Sequence, residues 1–126
     1  MKKLILTIIM ILSFSSMCFA QEPNLIRLGD TTIKENNYTV FLVDNFTVNK
    51  DKYAYFTLFF SDVKNQIVLA MHFTGDLVDE TFILIKTRVY KNGKLIYQED
   101  HEQKIYKVDN FYMQKAFKIM NEFAYD

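Results

Sequence analysis

The sequence predicts a β-rich α+β domain, an antiparallel meander sheet of five or six strands with one C-terminal amphipathic helix packed on it. From Tyr38 onward, β-favouring runs alternate with short polar turns, as in a chain of hairpins. One of those turns carries Asn92-Gly93, the dipeptide most typical of a tight hairpin. After residue 110 the spacing of apolar residues changes from the period of a strand to that of a helix. The sheet can lie open or curl into a partial barrel.

The first twenty residues have the pattern of a cleavable signal peptide. Lys2 and Lys3 are followed by an uncharged, largely apolar run over 4–14, the right size for the core of an export signal. That run is too short to cross a bilayer, which takes about 20 apolar residues. Cleavage after Ala20 would place Cys18 and Ala20 at the −3 and −1 positions. We therefore expect a signal peptide over 1–20 and one small domain over 21–126.

Cys18 raises the alternative of a lipid anchor. A lipoprotein signal has a branched aliphatic residue three positions before its cysteine and a small residue immediately before it. Here those positions hold Ser15 and Met17. Ordinary cleavage is therefore the better prediction, and it sends the domain to the periplasm or out of the cell. The Asn, Lys and Ile bias favours a bacterium with an AT-rich genome.

The composition of the expected mature chain excludes several classes of partner and of stabilising bond. Without Lys2 and Lys3 it carries 13 basic and 15 acidic side chains, a net charge of −2, which offers no attraction to nucleic acid or an anionic membrane. No second apolar run follows the signal, so we expect no membrane span after cleavage. The chain beyond Cys18 holds no thiol, so a core rich in Phe and Tyr must stabilise the domain without disulfides.

The strands are predicted from runs of alternating residues. Leu25, Ile26 and Leu28 indicate a short strand before a turn at Gly29-Asp30, and 34–37 is read as a loop. The next strand runs over 38–48, with one apolar side made of Tyr38, Val40, Leu42, Phe46 and Val48.

The strand predicted over 53–60 is apolar or aromatic on both sides. One side carries Ala54, Phe56, Leu58 and Phe60, and the other carries Tyr53, Tyr55, Thr57 and Phe59. The strand after it has Ile67, Leu69, Met71 and Phe73 on one side and Val68, Ala70, His72 and Thr74 on the other.

The Asn92-Gly93 turn predicts both a hairpin over 82–99 and its register. A two-residue turn would pair Val89 with Ile96, Arg88 with Tyr97, and Lys86 with Glu99. Continued further, that register would place Ile85 opposite Asp100, so we expect a bulge or bend within 99–103. A strand can then resume over 104–108.

The end of the chain predicts a helix over about 110–124, capped by Asp109 or Asn110. A 100° step gathers its apolar side chains into one arc: Tyr112, Met113, Ala116, Phe117, Ile119, Met120, Phe123 and Ala124. Only Phe111 falls on the polar side.

A search for catalytic and metal-binding residues finds no convincing constellation. Ser61 is the one serine beyond the signal, and it lacks the glycine-flanked elbow of hydrolases. The three glycines are isolated, so no phosphate-binding loop is predicted. We expect no cofactor and no metal site. The weak metal candidates lie at a strand end and the following turn: His72, Asp76, Asp79 and Glu80.

The candidate binding residues are Tyr53, Tyr55 and Phe59, on the second side of their strand. If exposed, they can bind a protein or an apolar ligand; the alternative is that they pack under 25–28 or against a neighbouring strand. Our leading hypothesis is an exported, non-enzymatic interaction module such as an adaptor, an inhibitor or an envelope accessory protein, with an unidentified partner.

Two further hypotheses come from other classes of function. A carrier of a small apolar ligand would enclose it in a curled sheet, in a cavity lined by Phe56, Leu58, Leu69 and Phe117. A small hydrolase would need two carboxylates converging in a cleft.

Overall fold

The computed structural model describes residues 24–123, and all structural statements concern that part of the chain. The signal peptide predicted for 1–20 lies outside the described residues, as do 21–23 and 124–126. The described residues form eight strands and one helix: β1 (Leu25–Ile33), β2 (Asn36–Val43), β3 (Thr47–Val48), β4 (Tyr53–Asp62), β5 (Ile67–Asp76), β6 (Thr81–Lys91), β7 (Lys94–Asp100), β8 (Ile105–Lys107) and α1 (Phe111–Phe123).

All strand pairs of the sheet are antiparallel, and six strands follow one another in the order β1-β2-β4-β5-β6-β7. Two short strands join from the side: β3 pairs with β4, and β8 pairs with β6. The predicted antiparallel sheet with a C-terminal helix is confirmed. The sheet is open, because β1 and β7 lie at opposite ends of the path.

The helix packs on one side of the sheet, which we call the inner face. The alternation of β4 decides which side chains lie there, and the four predicted together, Ala54, Phe56, Leu58 and Phe60, are all buried. The same core takes in Val40 and Leu42 from β2 and Phe73 from β5. The opposite side of the sheet, the outer face, carries Tyr53, Tyr55, Thr57, Phe59 and the residues paired with them.

Helix α1 occupies the region predicted for it and buries the centre of the predicted apolar arc, whereas Phe123 at its end is 54% exposed and Ala124 lies outside the described residues. Its buried residues are Met113, Ala116, Phe117 and Met120. The side chain of Asn110 caps the first turn, because its Oδ1 accepts a hydrogen bond from the backbone N–H of Met113 at 2.9 Å. With 13 residues, α1 is too short to cross a bilayer, and no other described segment is a helix suited to that role.

The turn predicted at Gly29-Asp30 is wrong. Strand β1 continues through both residues, with a bulge between Arg27 and Gly29, and Gly29 has a φ of 144°. The ring of Phe111 lies against this glycine, so a methyl carbon there would be 2.6 Å from Phe111 Cε2. The chain instead reverses at Lys34-Glu35, inside the predicted loop, where both residues have positive φ (49° and 70°).

The predicted hairpin tip is confirmed, but the predicted register is wrong beyond it. Asn92 and Gly93 both have positive φ (51° and 79°), as a type I′ turn requires. A bulge then leaves Ile96 without a partner, so Val89 pairs with Tyr97, Arg88 with Gln98 and Lys86 with Asp100. The extra residue shifts every later pair by one.

The bulge also removes the conflict that was expected further along the hairpin. Ile85 does not face Asp100; its carbonyl accepts a hydrogen bond from the backbone N–H of His101 at 2.9 Å. The pairing then lapses, and β8 resumes against β6 within the predicted span.

Candidate functional site

The outer face of β4 divides into an exposed half and a packed half. Tyr53 and Tyr55 are 55% and 60% exposed, respectively. Phe59, six residues after Tyr53 on the same side, is half-buried against Val68, together with Leu25 and Tyr90. Of the three candidate binding residues, the structure therefore brings Tyr53 and Tyr55 together on an open surface. It places Phe59 in a small second cluster, as the alternative reading expected.

Cross-strand pairing extends the exposed half across five strands. Tyr55 lies between Thr47 on β3 and Thr74 on β5, Thr74 lies beside Ile83 on β6, and Ile83 lies beside Ile105 on β8. Ile105, at the far end, is 69% exposed. We call these five residues and Tyr53 the outer band. With strands about 4.8 Å apart, the five paired residues from Thr47 to Ile105 span about 19 Å.

A polar row borders the outer band on the side of Phe59. It consists of Thr57, His72, Lys86 and Asp100, placed side by side by the register. The ring Nδ1 of His72 lies 3.0 Å from Thr57 Oγ1, and the Lys86 ammonium lies 3.4 Å from the Asp100 carboxylate. Burial, and then the charges of Arg88 and Lys86, lower the pKa of His72 below its usual value.

The row fixes the chemistry available at the edge of the outer band. With its pKa lowered, His72 is a neutral ring at pH 7, held by a hydroxyl group on the neighbouring strand. Arg88, one position further, donates from Nε to Gln98 Oε1 at 3.1 Å. Lys86 and Arg88 thus have partners on β7, and the band itself consists of tyrosine, isoleucine and threonine side chains.

The weak metal candidates do not come together. The Asp76 carboxylate caps the turn after β5, because its Oδ1 accepts hydrogen bonds from the backbone N–H groups of Val78 and Asp79, each at 3.0 Å. His72 lies four residues earlier on the same strand, roughly 13 Å away by strand geometry. Asp79 and Glu80 are exposed in the turn. Among residues 24–123, no group of three His, Cys, Asp or Glu side chains is placed to hold a metal ion.

Ser61 and Asp62, consecutive at the end of β4, are the buried polar residues of the described chain. Asp62 is the one buried acid of the described chain, and its carboxylate accepts hydrogen bonds from the backbone N–H and side-chain amide of Asn65, at 3.2 and 2.7 Å. These bonds close the turn between β4 and β5. Ser61 is buried as well, and its hydroxyl finds no hydrogen-bond partner among the described residues. Ser61 pairs with Val68 on β5, and His72 lies four residues further along that strand.

The interior that would have held an apolar ligand is filled by side chains. Phe56 stacks on Phe73 at 5.2 Å between ring centroids and meets Phe117 edge-on at 6.0 Å. Leu58 is fully buried, and Leu69 packs against the same core cluster. Residues named for the cavity are thus in direct contact with each other or with their neighbours.

Ile83 and Ile105 are the apolar residues of the outer band that sequence reasoning did not name. Each lies in a run with weak or short alternation, so neither strand face could be assigned before the pairing was known. The available signal was the expected resumption of a strand over 104–108, which places Ile105 at a sheet edge. Compared with protein-family models, curated proteins and solved structures, the chain matches none of them.

Proposed function

We propose that this protein is an exported, non-enzymatic interaction module that binds a partner protein through the outer band. The exposure of Tyr53 and Tyr55, which lie two residues apart on the same side of β4, carries the proposal. Both side chains project from the middle of a six-strand path, so their spacing is set by the sheet and not by a mobile loop.

The chemistry of the outer band fits a protein surface better than a small polar ligand. Tyrosine supplies a large apolar ring and a hydroxyl group at little cost in conformational entropy, which is why it is enriched where proteins bind each other. Exposed apolar patches with polar borders mark such surfaces. Here the border is the row of Thr57, His72, Lys86 and Asp100, and the patch continues to Ile105.

The packing favours this function over the two alternatives. A carrier needs a cavity, and the positions around Phe56 and Phe117 are occupied by packed rings, with Phe56 stacked on Phe73 and Phe117 edge-on to Phe56. A carboxylate-dependent hydrolase needs two acids in a cleft, and one groove of the described chain holds Asp30, Glu35 and Asp62. Two of these acids are engaged by neighbouring side chains: Asp62 closes a turn with Asn65, and Asp30 accepts hydrogen bonds from Arg27 and Thr39. Export is proposed on the signal pattern over 1–20, with cleavage after Ala20.

Site-specific photo-crosslinking in the producing cells tests the proposed surface. A photoreactive phenylalanine analogue is introduced in place of Tyr55, and in a matched strain in place of Lys118, which is exposed on the polar side of α1. We expect one protein adduct at position 55 that disappears with Tyr53→Ala and is missing at position 118. The same adduct at both positions, or its persistence with Tyr53→Ala, would refute binding through the outer band.

A further inference from the structure

The sheet ends in an open strand, β7, whose outward edge has no partner among residues 24–123. All seven of its residues are exposed, including the consecutive apolar side chains of Leu95, Ile96 and Tyr97. An unpaired strand offers its backbone N–H and C=O groups to another strand, and proteins usually protect long apolar edges of this kind. The edge of β7 can therefore accept a strand from another chain.

The charges along β7 are complementary to those of a second β7 running the opposite way. The strand begins with Lys94 and ends with Glu99 and Asp100. In antiparallel self-pairing, the basic end of one copy therefore meets the acidic end of the other, whereas parallel pairing would place like charges together. A twofold-symmetric interface requires this kind of self-complementarity.

The bulge at Ile96 selects which acid faces Lys94. Two strands paired about a twofold axis perpendicular to the sheet keep each face of the sheet on its own side. Lys94 pairs with Lys91 and Glu99 pairs with Thr87, and Lys91 and Thr87 are four residues apart on β6, hence on the same face. Lys94 and Glu99 therefore share the inner face, although five residues separate them.

Asp100 lies on the other face, because it pairs with Lys86, whose ammonium group lies 3.4 Å from it. Glu99 accepts a hydrogen bond from the Tyr97 hydroxyl and lies near the His101 ring, and no Lys or Arg of the described chain forms an ion pair with it. The register that places Lys94 opposite Glu99 of a second copy also places Leu95 opposite Gln98, on the outer face. The register that would place Lys94 opposite Asp100 puts the two side chains on opposite faces.

The hairpin itself leaves a charge conflict that this register relieves. Lys91 and Lys94 lie directly opposite each other beside the turn, and neither forms an ion pair within the described chain. Like charges in that position destabilise a hairpin. A carboxylate from another chain would offset this repulsion. In antiparallel pairing with Lys94 opposite Glu99, the Glu99 carboxylate of a second copy lies next to the two lysines.

We propose that two copies of this chain pair antiparallel along β7, with Lys94 of each opposite Glu99 of the other, to form one continuous sheet. A seven-residue strand edge buries little surface, less than the roughly 1,000 Å² expected of a stable interface, so the dimer is weak and concentration-dependent. The interface is separate from the outer band, and either proposal can fail without the other.

Charge reversal at the two positions tests the register, with sedimentation equilibrium of the purified protein at low salt as the readout. We expect a monomer–dimer equilibrium in which Lys94→Glu or Glu99→Lys each raises the Kd about tenfold, because both symmetry-related pairs change from attraction to repulsion. The double variant restores the complementary charges and should return the Kd to near the original value. Lys118→Glu is the matched control, with the same charge change on α1, and should leave the Kd unchanged.

Cysteine pairing gives a second readout that does not depend on ion pairs. In a Cys18→Ser background, Lys94→Cys with Glu99→Cys places two thiols across the interface, within the Cα separation that a disulfide needs. Oxidation should yield a covalent dimer, whereas Lys94→Cys with Asp100→Cys should not. A protein that stays monomeric at every concentration, single reversals that leave the Kd unchanged, or a double reversal that fails to restore it would each overturn the proposal.

Discussion

Gly75 lies directly beneath Phe117 of helix α1, and replacing it with alanine measures how tightly the helix and the sheet are packed. A methyl carbon at this position would be 2.9 Å from Cζ of Phe117 and 3.1 Å from Cε1 of Phe56. Both rings are buried, and Phe56 also stacks on Phe73. Gly75 is not among the residues with positive φ, so the backbone itself accepts alanine.

Two opposing terms set the expected size of the effect of Gly75→Ala. Forcing one methyl group into a packed core costs about 1–3 kcal/mol. Replacing glycine restricts the unfolded chain and returns about 0.4–1 kcal/mol. The crowding wins, so we expect a net loss of about 1–2 kcal/mol in the free energy of unfolding. For a domain of about 100 residues this corresponds to a fall in Tm of roughly 5–15 °C.

Urea denaturation of a double-mutant cycle separates crowding from other causes. Phe117→Leu removes both ring carbons of Phe117 that crowd the added methyl group, so Gly75→Ala should cost about 1 kcal/mol less in that background. Equal costs in the two backgrounds, or a Gly75→Ala protein as stable as the original, would refute the close packing of α1 on β5.

Three other predictions concern the cap of α1, the hairpin tip and the half-buried His72. Asn110→Ala removes the acceptor for the N–H of Met113 and should cost about 1 kcal/mol in thermal or urea unfolding, whereas Asn110→Asp should retain most of the stability. Gly93→Ala forces a side chain into the left-handed region (φ 79°) and should cost about 1–2 kcal/mol, measured the same way. Because the pKa of folded His72 is lowered, the unfolded chain binds more protons between that pKa and about 6.5. Stability should therefore decline as the pH falls through 6.5, and His72→Asn should flatten that decline in urea titrations.

Each of these three predictions has an outcome that contradicts it. An Asn110→Asp protein as unstable as Asn110→Ala would show that the side-chain acceptor does not cap α1. A Gly93→Ala protein of unchanged stability would mean that the tip does not need its left-handed conformation. A stability profile with the same slope below pH 6.5 in His72→Asn would assign the acid sensitivity to other groups.

The elements with a strong local pattern could be predicted, and those set by tertiary contacts could not. Helix α1 repeats its apolar spacing over more than three turns, and the Asn92-Gly93 tip depends only on its own two residues. The bulge at Gly29 lies against the ring of Phe111, a contact with a residue far away in sequence. The bulge at Ile96 shifts a register that the turn alone would have set otherwise.

The candidate surface was predictable in part for a similar reason. Alternation places Tyr53, Tyr55 and Phe59 on one side of β4, and the structure confirms that shared side. Exposure depends on what lies beside each residue, and alternation carries no information about that. Phe59 has Val68 and Leu25 around it, whereas Tyr55 has the small side chains of Thr47 and Thr74 as neighbours.

The central claim is that the outer band binds a partner protein, and a native mass spectrum of material purified from the producing cells tests it most directly. The spectra to compare are those of the original protein, of the Tyr53→Ala, Tyr55→Ala double variant, and of Lys118→Ala, an exposed position on α1, on the other side of the sheet from the band. We predict a bound protein partner with the original chain and with Lys118→Ala, and none with the double variant. A partner that stays bound to the folded double variant, or no partner on the original chain, would contradict the claim.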